Sequence, residues 1–479
     1  MKTTGMRMLA VLGLWVAVAA GQEESSAVGP DAGLTAEYRE TADRIIEAAL
    51  ADDEGWAKLS HLTDRIGHRL SGSKALQEAV LWSFEQMQKD GLSNVRMQPV
   101  AVPHWVRGRE WVKVTSPVER ELAMLGLGGS VGTPPEGIEA EVVSASSFDE
   151  LEALGREQVE GKIVLWNVEW DGYRRTVAYR TRGATAAARL GALASLVRSV
   201  GPVSLQTPHT GAMRYGDDAD KIPSAAVTIE GAELIQRLIE SGQTVRVRLY
   251  MEARTLPDAL SANVMGEIPG REMPEEVVVL GGHIDSWDVG QGAQDDGSGC
   301  IASLQAVALL KKLGLEARRT IRVVFWTNEE NGLAGGRAYR SALGEDVHSH
   351  AAAIEMDGGS EHPAGFGLAS LAVAGVAQGG ERVEAKLRQI GALLDPIEAG
   401  RITWGGGGAD ISPLIREGVP GFGLRTRGEK YFHWHHTEAD TLDKINPDHF
   451  RKNVAALAIL SYVLADMPQR LPDFLQAED

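Results

Sequence analysis

An α/β fold with a mostly parallel central sheet and helices on both faces is what this sequence predicts, and three observations carry it. From Ser261 onward, apolar strand-like runs alternate with amphipathic helical runs, which implies parallel strands joined by covering helices. The run Glu276-Val-Val-Val-Leu280 is apolar almost throughout, as a strand buried on both faces requires. The strand-like runs around it lead into histidine, aspartate and glutamate, and ligands of open α/β sheets sit at the carboxyl ends of the strands.

Taken in chain order, Lys2 and Arg7 precede the apolar stretch from Met8 to Ala20. Small residues Ala19, Ala20 and Gly21 then give way to Gln22-Glu-Glu-Ser-Ser. This is the pattern of an export signal over residues 1–21, cleaved near Gly21. Its apolar part is short for a bilayer span, and no later segment is long and apolar enough to cross a membrane. Residues 22–115 read as the N-terminal part of the main domain. Ile45, Ile46, Ala49 and Leu50 make one helical stripe, and Leu76, Val80, Leu81, Phe84 and Met87 another. Gly67 to Ser73 breaks them, with Ser73 placed to cap the second helix. Alternation from Val95 to Val114 predicts strands.

The character changes at Ser116-Pro117. Residues 116–257 hold short strands (Ile163 to Trp166, Val245 to Tyr250), many turns and an Ala-rich helix expected over 183–200, and they read as an inserted domain. Inside it Gly128-Gly-Ser130-Val-Gly132 matches the G-x-S-x-G nucleophile elbow. That motif needs a helix directly after the serine, and Thr133-Pro-Pro135 forbids one, so the stretch reads as a loop. Residues 258–479 form the main part of the larger domain. Its strands are expected at 277–280, 320–326, 351–356 and 421–424, and its helices near 298–313, 335–343, 381–394 and 446–465.

A net charge of −18 without basic runs excludes nucleic acid and anionic membrane surfaces as partners. Cys300 is the only cysteine, so no internal disulfide forms despite the export signal. It falls on the apolar side of the 298–313 helix and reads as a small buried hydrophobe.

The chemistry gathers where strands end. Gly281 to Gly299 reads GGHIDSWDVGQGAQDDGSG, with His283, Asp285, Asp288, Asp295 and Asp296 between a strand and a helix. The next strand runs through Thr327 and Asn328 into Glu329 and Glu330, and the third ends in Asp357-Gly-Gly359. Late in the chain, Trp434-His-His-Thr-Glu-Ala-Asp-Thr441 adds histidines on a loop. Parallel neighbours would bring all of these to one sheet edge. Imidazole and carboxylate without thiolate suit zinc, cobalt or manganese. Two Zn2+ with Asp295, Asp357, Glu330 and a hydroxide sum to zero charge, which lowers the cost of burying the group.

The stretches GGHIDSWDVGQGAQDDGSG, TNEENGLAGG, EMDGG and HHTEADT, in that order, resemble the M28 family of dinuclear zinc exopeptidases, most closely its plasma glutamate carboxypeptidase (carboxypeptidase Q) branch. The resemblance extends over nearly the whole chain after the signal. It implies the zinc exopeptidase fold, and the inserted region resembles the protease-associated domain, best at GKIVLWN. It further implies two Zn2+ per chain: His283 and Asp357 on one, Glu330 and His436 on the other, Asp295 bridging. Glu329 is then the general base, Asp285 orients His283 through its ring N–H, and the Asp295–Asp296 peptide is cis.

Some relatives place a tyrosine directly before the last histidine ligand, to bind the tetrahedral intermediate. Here that position is His435, which leaves oxyanion and substrate contacts to His435 or Tyr431.

The function so implied is a secreted or periplasmic exopeptidase, hydrolysing dipeptides or short peptides through a metal-bridging water activated by Glu329. Whether it acts as aminopeptidase, carboxypeptidase or dipeptidase stays open: Arg401, Arg425, Arg427 and Lys430 could anchor a carboxylate, Asp288 and Glu438 an amine. The competing readings are a glutaminyl-cyclase-like acyl transferase with one zinc, a non-catalytic receptor-like relative and a dinuclear phosphoesterase. Peptide or dipeptide is the expected partner, with no membrane association after signal cleavage, and a homodimer is left open.

Overall fold

The computed structural model describes residues 33–369 and 380–475; the signal over 1–21 and the polar stretch after it lie outside the described residues. Among the described residues, two eight-stranded sheets organise the chain. In the first, the middle strands Arg319–Trp326, Met273–His283, His350–Glu355 and Gly421–Thr426 are mutually parallel. The flanks differ from the expected mostly parallel sheet. Ser93–Val106 pairs antiparallel with Arg254–Ile268, which pairs antiparallel with Arg319–Trp326. On the other side Pro363–Leu368 is antiparallel to Gly421–Thr426 and parallel to Arg401–Trp404. The sheet is therefore mixed, with a parallel centre.

The apolar run at 277–280 serves both faces. Val278 and Leu280 enter the large core under the helices Gly33–Leu50, Ser298–Lys312 and Pro447–Asp466, while Val277 and Val279 enter the smaller core with Trp326, Tyr339 and Leu414. Period-two alternation with both faces apolar is why this strand reads as continuous hydrophobicity. The helix Lys74–Lys89 begins at Ser73, whose hydroxyl accepts the Leu76 N–H at 3.1 Å. Cys300 is free and fully buried in the large core.

The second sheet spans Glu110 to Met251. Ile163 and Leu165 face one core, Val164 and Trp166 the other. Its first strand, Glu110–Ser116, precedes the change of character at 116–117, and Arg254–Ile268 already belongs to the first sheet. The expected helix over 183–200 is corrected: the helix is Tyr173–Arg189, and Ala194–Arg198 is a strand between Ile163–Trp166 and Ser224–Val227. Gly191, at φ +84°, turns the chain between them, a conformation that glycine adopts without penalty. Ser130 lies in a loop with no helix after it, its Oγ accepting the Ser224 N–H at 2.8 Å.

Candidate metal centre

Parallel register lines up the strand ends. His283 stands opposite Trp326, and Gly281 opposite Glu355, so the residues just beyond, Glu329, Glu330 and Asp357, emerge at one edge. A short turn at Ala293–Gly297, leading into the helix Ser298–Lys312, brings Asp295 over that edge. The Asp295–Asp296 peptide is cis. His436 arrives from the loop after the short helix Tyr431–Trp434.

Among the described residues, side chains able to hold a metal converge here in three overlapping groups: Asp295 with His435 and His436, His283 with Asp296 and Asp357, and His283 with Asp295 and Glu330. His283 Nε2 is 3.2 Å from Asp295 Oδ1 and 3.5 Å from Asp357 Oδ1. His436 Nε2 is 3.3 Å from Asp295 Oδ2 and 3.1 Å from Glu330 Oε2. Ligand atoms of a tetrahedral zinc with bonds of about 2.0–2.2 Å stand roughly 3.3–3.6 Å apart, which these imidazole–carboxylate separations approach.

His283 Nδ1 donates to the Asp285 carbonyl at 2.9 Å. His436 Nδ1 lies 3.2 Å from the Thr210 carbonyl and 3.3 Å from Arg180 Nη1; a protonated Nδ1 bonds the carbonyl, a bare one the guanidinium, and the first leaves Nε2 free for a metal. With a cation between them, neutral rings would each present an Nε2 lone pair to it; without one, burial is outweighed by the neighbouring carboxylates, which raise both imidazoles, His436 to about 9. His283 Nε2 is buried without a hydrogen-bond partner. Glu329 belongs to none of the converging ligand groups among the described residues.

Asp285 meets the His283 ring N–H with its backbone rather than its carboxylate. Its nearest carboxylate oxygen is 3.9 Å from His283 Nδ1, and its backbone carbonyl takes that N–H instead. The carboxylate accepts the backbone N–H groups of Glu329 at 3.0 Å and Glu330 at 3.3 Å. Two adjacent amides at a strand end point at one acceptor, and Asp285, fully buried, is that acceptor.

Burial shapes the electrostatics. Glu329 is raised well above the ordinary carboxylate range by burial, with His283 pulling the other way. Glu330 is pushed up to about 7 by burial and by the Asp295 charge. Asp295 is held well below its usual value; burial opposes this, and the imidazoles of His283 and His436 outweigh it. His435 is lowered by burial and by His436, on which it stacks with ring centroids 3.5 Å apart. Its Nε2 is 3.7 Å from Asp295 Oδ2, and the Tyr431 ring lies 5.2 Å from it, so both residues line the site.

Several contributors escaped the sequence reading. Arg69, fully buried, donates to the carbonyls of Gly67, Ile284, Gln291 and Gly292 and so shapes the acidic loop. Asp440 accepts the N–H groups of Gln294 at 2.7 Å and Asp295 at 3.2 Å. Asp440 had a signal, its place in HHTEADT; Arg69 had none beyond the break between two helices. Asp288 is taken by Arg107 in a two-pronged ion pair. Arg427 pairs with Glu398, and Arg425 holds Thr403 and the Gly405 carbonyl, while Arg401, Lys430 and Glu438 are exposed.

The family model described as Peptidase family M28 matches residues 263–461. Carboxypeptidase Q of Homo sapiens is 42% identical over 436 residues, covering 90% of this chain and 90% of its own. Carboxypeptidase Q of Mus musculus is 40% identical over 440 residues, covering 91% and 92%. Among solved structures, a peptidase M28 precursor from Shewanella amazonensis superposes with a TM-score of 0.86 at 31% identity, covering 91% of this chain and 98% of its own. A zinc aminopeptidase from Bacillus subtilis superposes at 0.63 with 19% identity, covering 89% and 97%, which is a likeness of fold.

Proposed function

The chain belongs to peptidase family M28 and is a zinc metallopeptidase, and from that premise we propose that it is an exported dinuclear exopeptidase acting on dipeptides or short peptides. The observation that carries the reading is Asp295, whose two oxygens each approach a different imidazole at 3.2 and 3.3 Å, as a carboxylate shared by two ions does. His283 and Asp357 would hold one zinc, Glu330 and His436 the other. When bound, such a pair polarises a carbonyl and lowers the pKa of water toward neutrality.

The remaining work falls to the chain's own residues. Glu329, outside the ligand groups, takes a proton from the attacking water and delivers it to the leaving amine. Burial raises its affinity for that proton, and the charge of bound metal would lower it. Asp285 fixes the backbone from which Glu329 and Glu330 diverge. His435, with Tyr431 against its ring, would donate to the oxygen that gains charge.

The second sheet is read as an inserted protease-associated-like domain. Export rests on the pattern over residues 1–21; among the described residues no helix is long and apolar enough to cross a membrane. Asp288 is held by Arg107 and Arg427 by Glu398, with Arg425 on Thr403 and Gly405. That leaves exposed Arg401 and Lys430 to anchor a carboxylate against Glu438 alone for an amine, which favours recognition of a free carboxylate.

Metal analysis of protein prepared without chelator should approach two equivalents. A dipeptide panel with each terminus blocked in turn should lose hydrolysis on blocking the carboxylate. One equivalent at full activity would overturn the dinuclear reading in favour of the single-zinc acyl transferase.

A further inference from the structure

The two sets of metal-binding residues are supported differently. His283 and Asp357 are held within the first sheet: the His283 ring donates to the Asp285 carbonyl, and its backbone N–H to Asp296 Oδ2 at 3.1 Å. His436 and Glu330 instead lean on the second sheet.

His436 sits at φ +61°, unusual for a residue with a side chain, and is gripped by Thr210 on both sides. The Thr210 N–H donates to the His436 carbonyl at 2.9 Å, and the Thr210 carbonyl takes the His436 Nδ1–H at 3.2 Å. That carbonyl is itself held by Arg180 Nη1 at 3.3 Å, an atom also 3.3 Å from His436 Nδ1, on a guanidinium that is 5% exposed and also bonds Tyr173 Oη at 2.9 Å. Gly211, at φ +141°, leaves room for Arg180; a Cβ there would fall 2.3 Å from the guanidinium carbon.

The second support is Trp287. Its backbone N–H donates to Glu330 Oε1 at 3.2 Å, yet its ring is buried in a core of the second sheet. The ring rests on Gly128, where a Cβ would come within 2.1 Å of it. The first glycine of the false nucleophile elbow thus has a use: Gly128 is the seat of a tryptophan belonging to the proposed metal-binding loop.

We propose that the second-sheet domain sets the occupancy of the Glu330/His436 metal position, through Thr210 against His436 and Trp287 seated on Gly128, and leaves the His283/Asp357 position to the first sheet. This rests on the dinuclear reading. Contacts that orient a metal ligand from behind are worth about 10–100-fold in affinity, so disturbing the second domain should release one ion well before the other.

The test uses the full chain with Gly128→Ala and, separately, Gly211→Ala, measuring retained zinc against a graded series of chelator concentrations. Each variant should hold one ion like the wild type and lose the other with about 10–100-fold weaker affinity. Two backgrounds identify the position. In Glu330→Gln, where that position is already impaired, Gly128→Ala should add nothing; in Asp357→Asn it should weaken the zinc that remains. Adding Trp287→Phe to Gly128→Ala makes room for the new methyl and should restore part of the affinity, a rescue that general destabilisation would not give. Equal weakening of both positions, or of neither, overturns the proposal. A wild type that holds a single equivalent instead overturns the dinuclear reading beneath it.

Discussion

Asp285 and Glu329 are joined through backbone, not through the side chain of the base: Asp285 Oδ1 accepts the Glu329 N–H at 3.0 Å, and Asp285 Oδ2 the neighbouring Glu330 N–H at 3.3 Å. The same residue offers its carbonyl to His283 Nδ1–H. One aspartate therefore sets the ring of one proposed metal ligand and the peptide carrying both the proposed base and another proposed ligand. Only the second task needs its carboxylate.

Replacing Asp285 by asparagine separates the two tasks. The carbonyl stays, so His283 keeps its orientation. The new amide turns an N–H toward one of the two glutamate N–H groups, and two donors face each other with no water to relieve them. Turnover should fall about 10–100-fold, and zinc at the Glu330 position should weaken, while the His283 position keeps its metal. Selective loss of the His283 ion would restore the role in which the Asp285 carboxylate orients that ring.

Asp295 gives a contrasting case. Its oxygens are shared between His283 and His436, so Asp295→Asn removes charge from both sets at once. Zinc titration of this variant should show both affinities reduced together, unlike Asp285→Asn. An effect confined to one position would show that the carboxylate is not shared.

Much of this was legible because strand ends are where sequence and site coincide. The run through Val277–Leu280 is apolar on both faces, the mark of a central strand, and the polar residues just past it and its neighbours converge because parallel strands end together. The strands Pro363–Leu368 and Arg401–Trp404 were not legible: Gly365 and Gly367 break one apolar run, and the other is four residues long. Alanine misled at 183–200, since helix propensity alone does not mark the stop at Gly191. Supports of the site were hidden for another reason. Thr210 meets His436 across 226 residues, through a backbone carbonyl that every amino acid possesses. Trp287 lies inside the most conspicuous motif, but its ring is buried in the other domain's core.

The separation of base from ligand is testable at adjacent positions. Glu329→Gln preserves shape and removes the proton acceptor, so both metals and peptide binding should persist while turnover drops by at least roughly 10²–10⁴-fold. Glu330→Gln should weaken one metal position and regain part of its activity with added zinc. Metal content, peptide binding and turnover measured on the same two proteins decide the matter; if Glu329→Gln loses metal and Glu330→Gln keeps it, the roles are reversed.

Stability should carry a pH signature from a histidine at the opposite end of the strand that leads to Asp357. His350 begins that strand, 3% exposed, with Nε2 2.9 Å from Tyr339 Oη. Arg322 donates to the same hydroxyl at 3.1 Å, so the phenol passes its own proton toward His350 and needs a neutral ring to receive it. Burial, reinforced by the Arg322 charge, lowers the His350 pKa from 6.5 to about 4. A depressed folded-state pKa contributes stability that is fully present above the unfolded value and is lost as pH falls toward the folded one. For His350 the window is therefore from about 6.5 down to about 4, and linkage puts the loss at roughly 3 kcal/mol. Glu330, Glu355 and Asp440, each pushed up to about 7 by burial, act in the opposite sense in zinc-free protein, losing stability as pH rises through that value. Comparing wild type with His350→Gln, both stripped of metal, cancels those acids. Denaturant unfolding from pH 7.5 to 4 should show the wild type losing the stability difference between the two proteins as the pH drops. A difference that stays flat across the window would mean that His350 accepts its proton without leaving the Tyr339 hydroxyl.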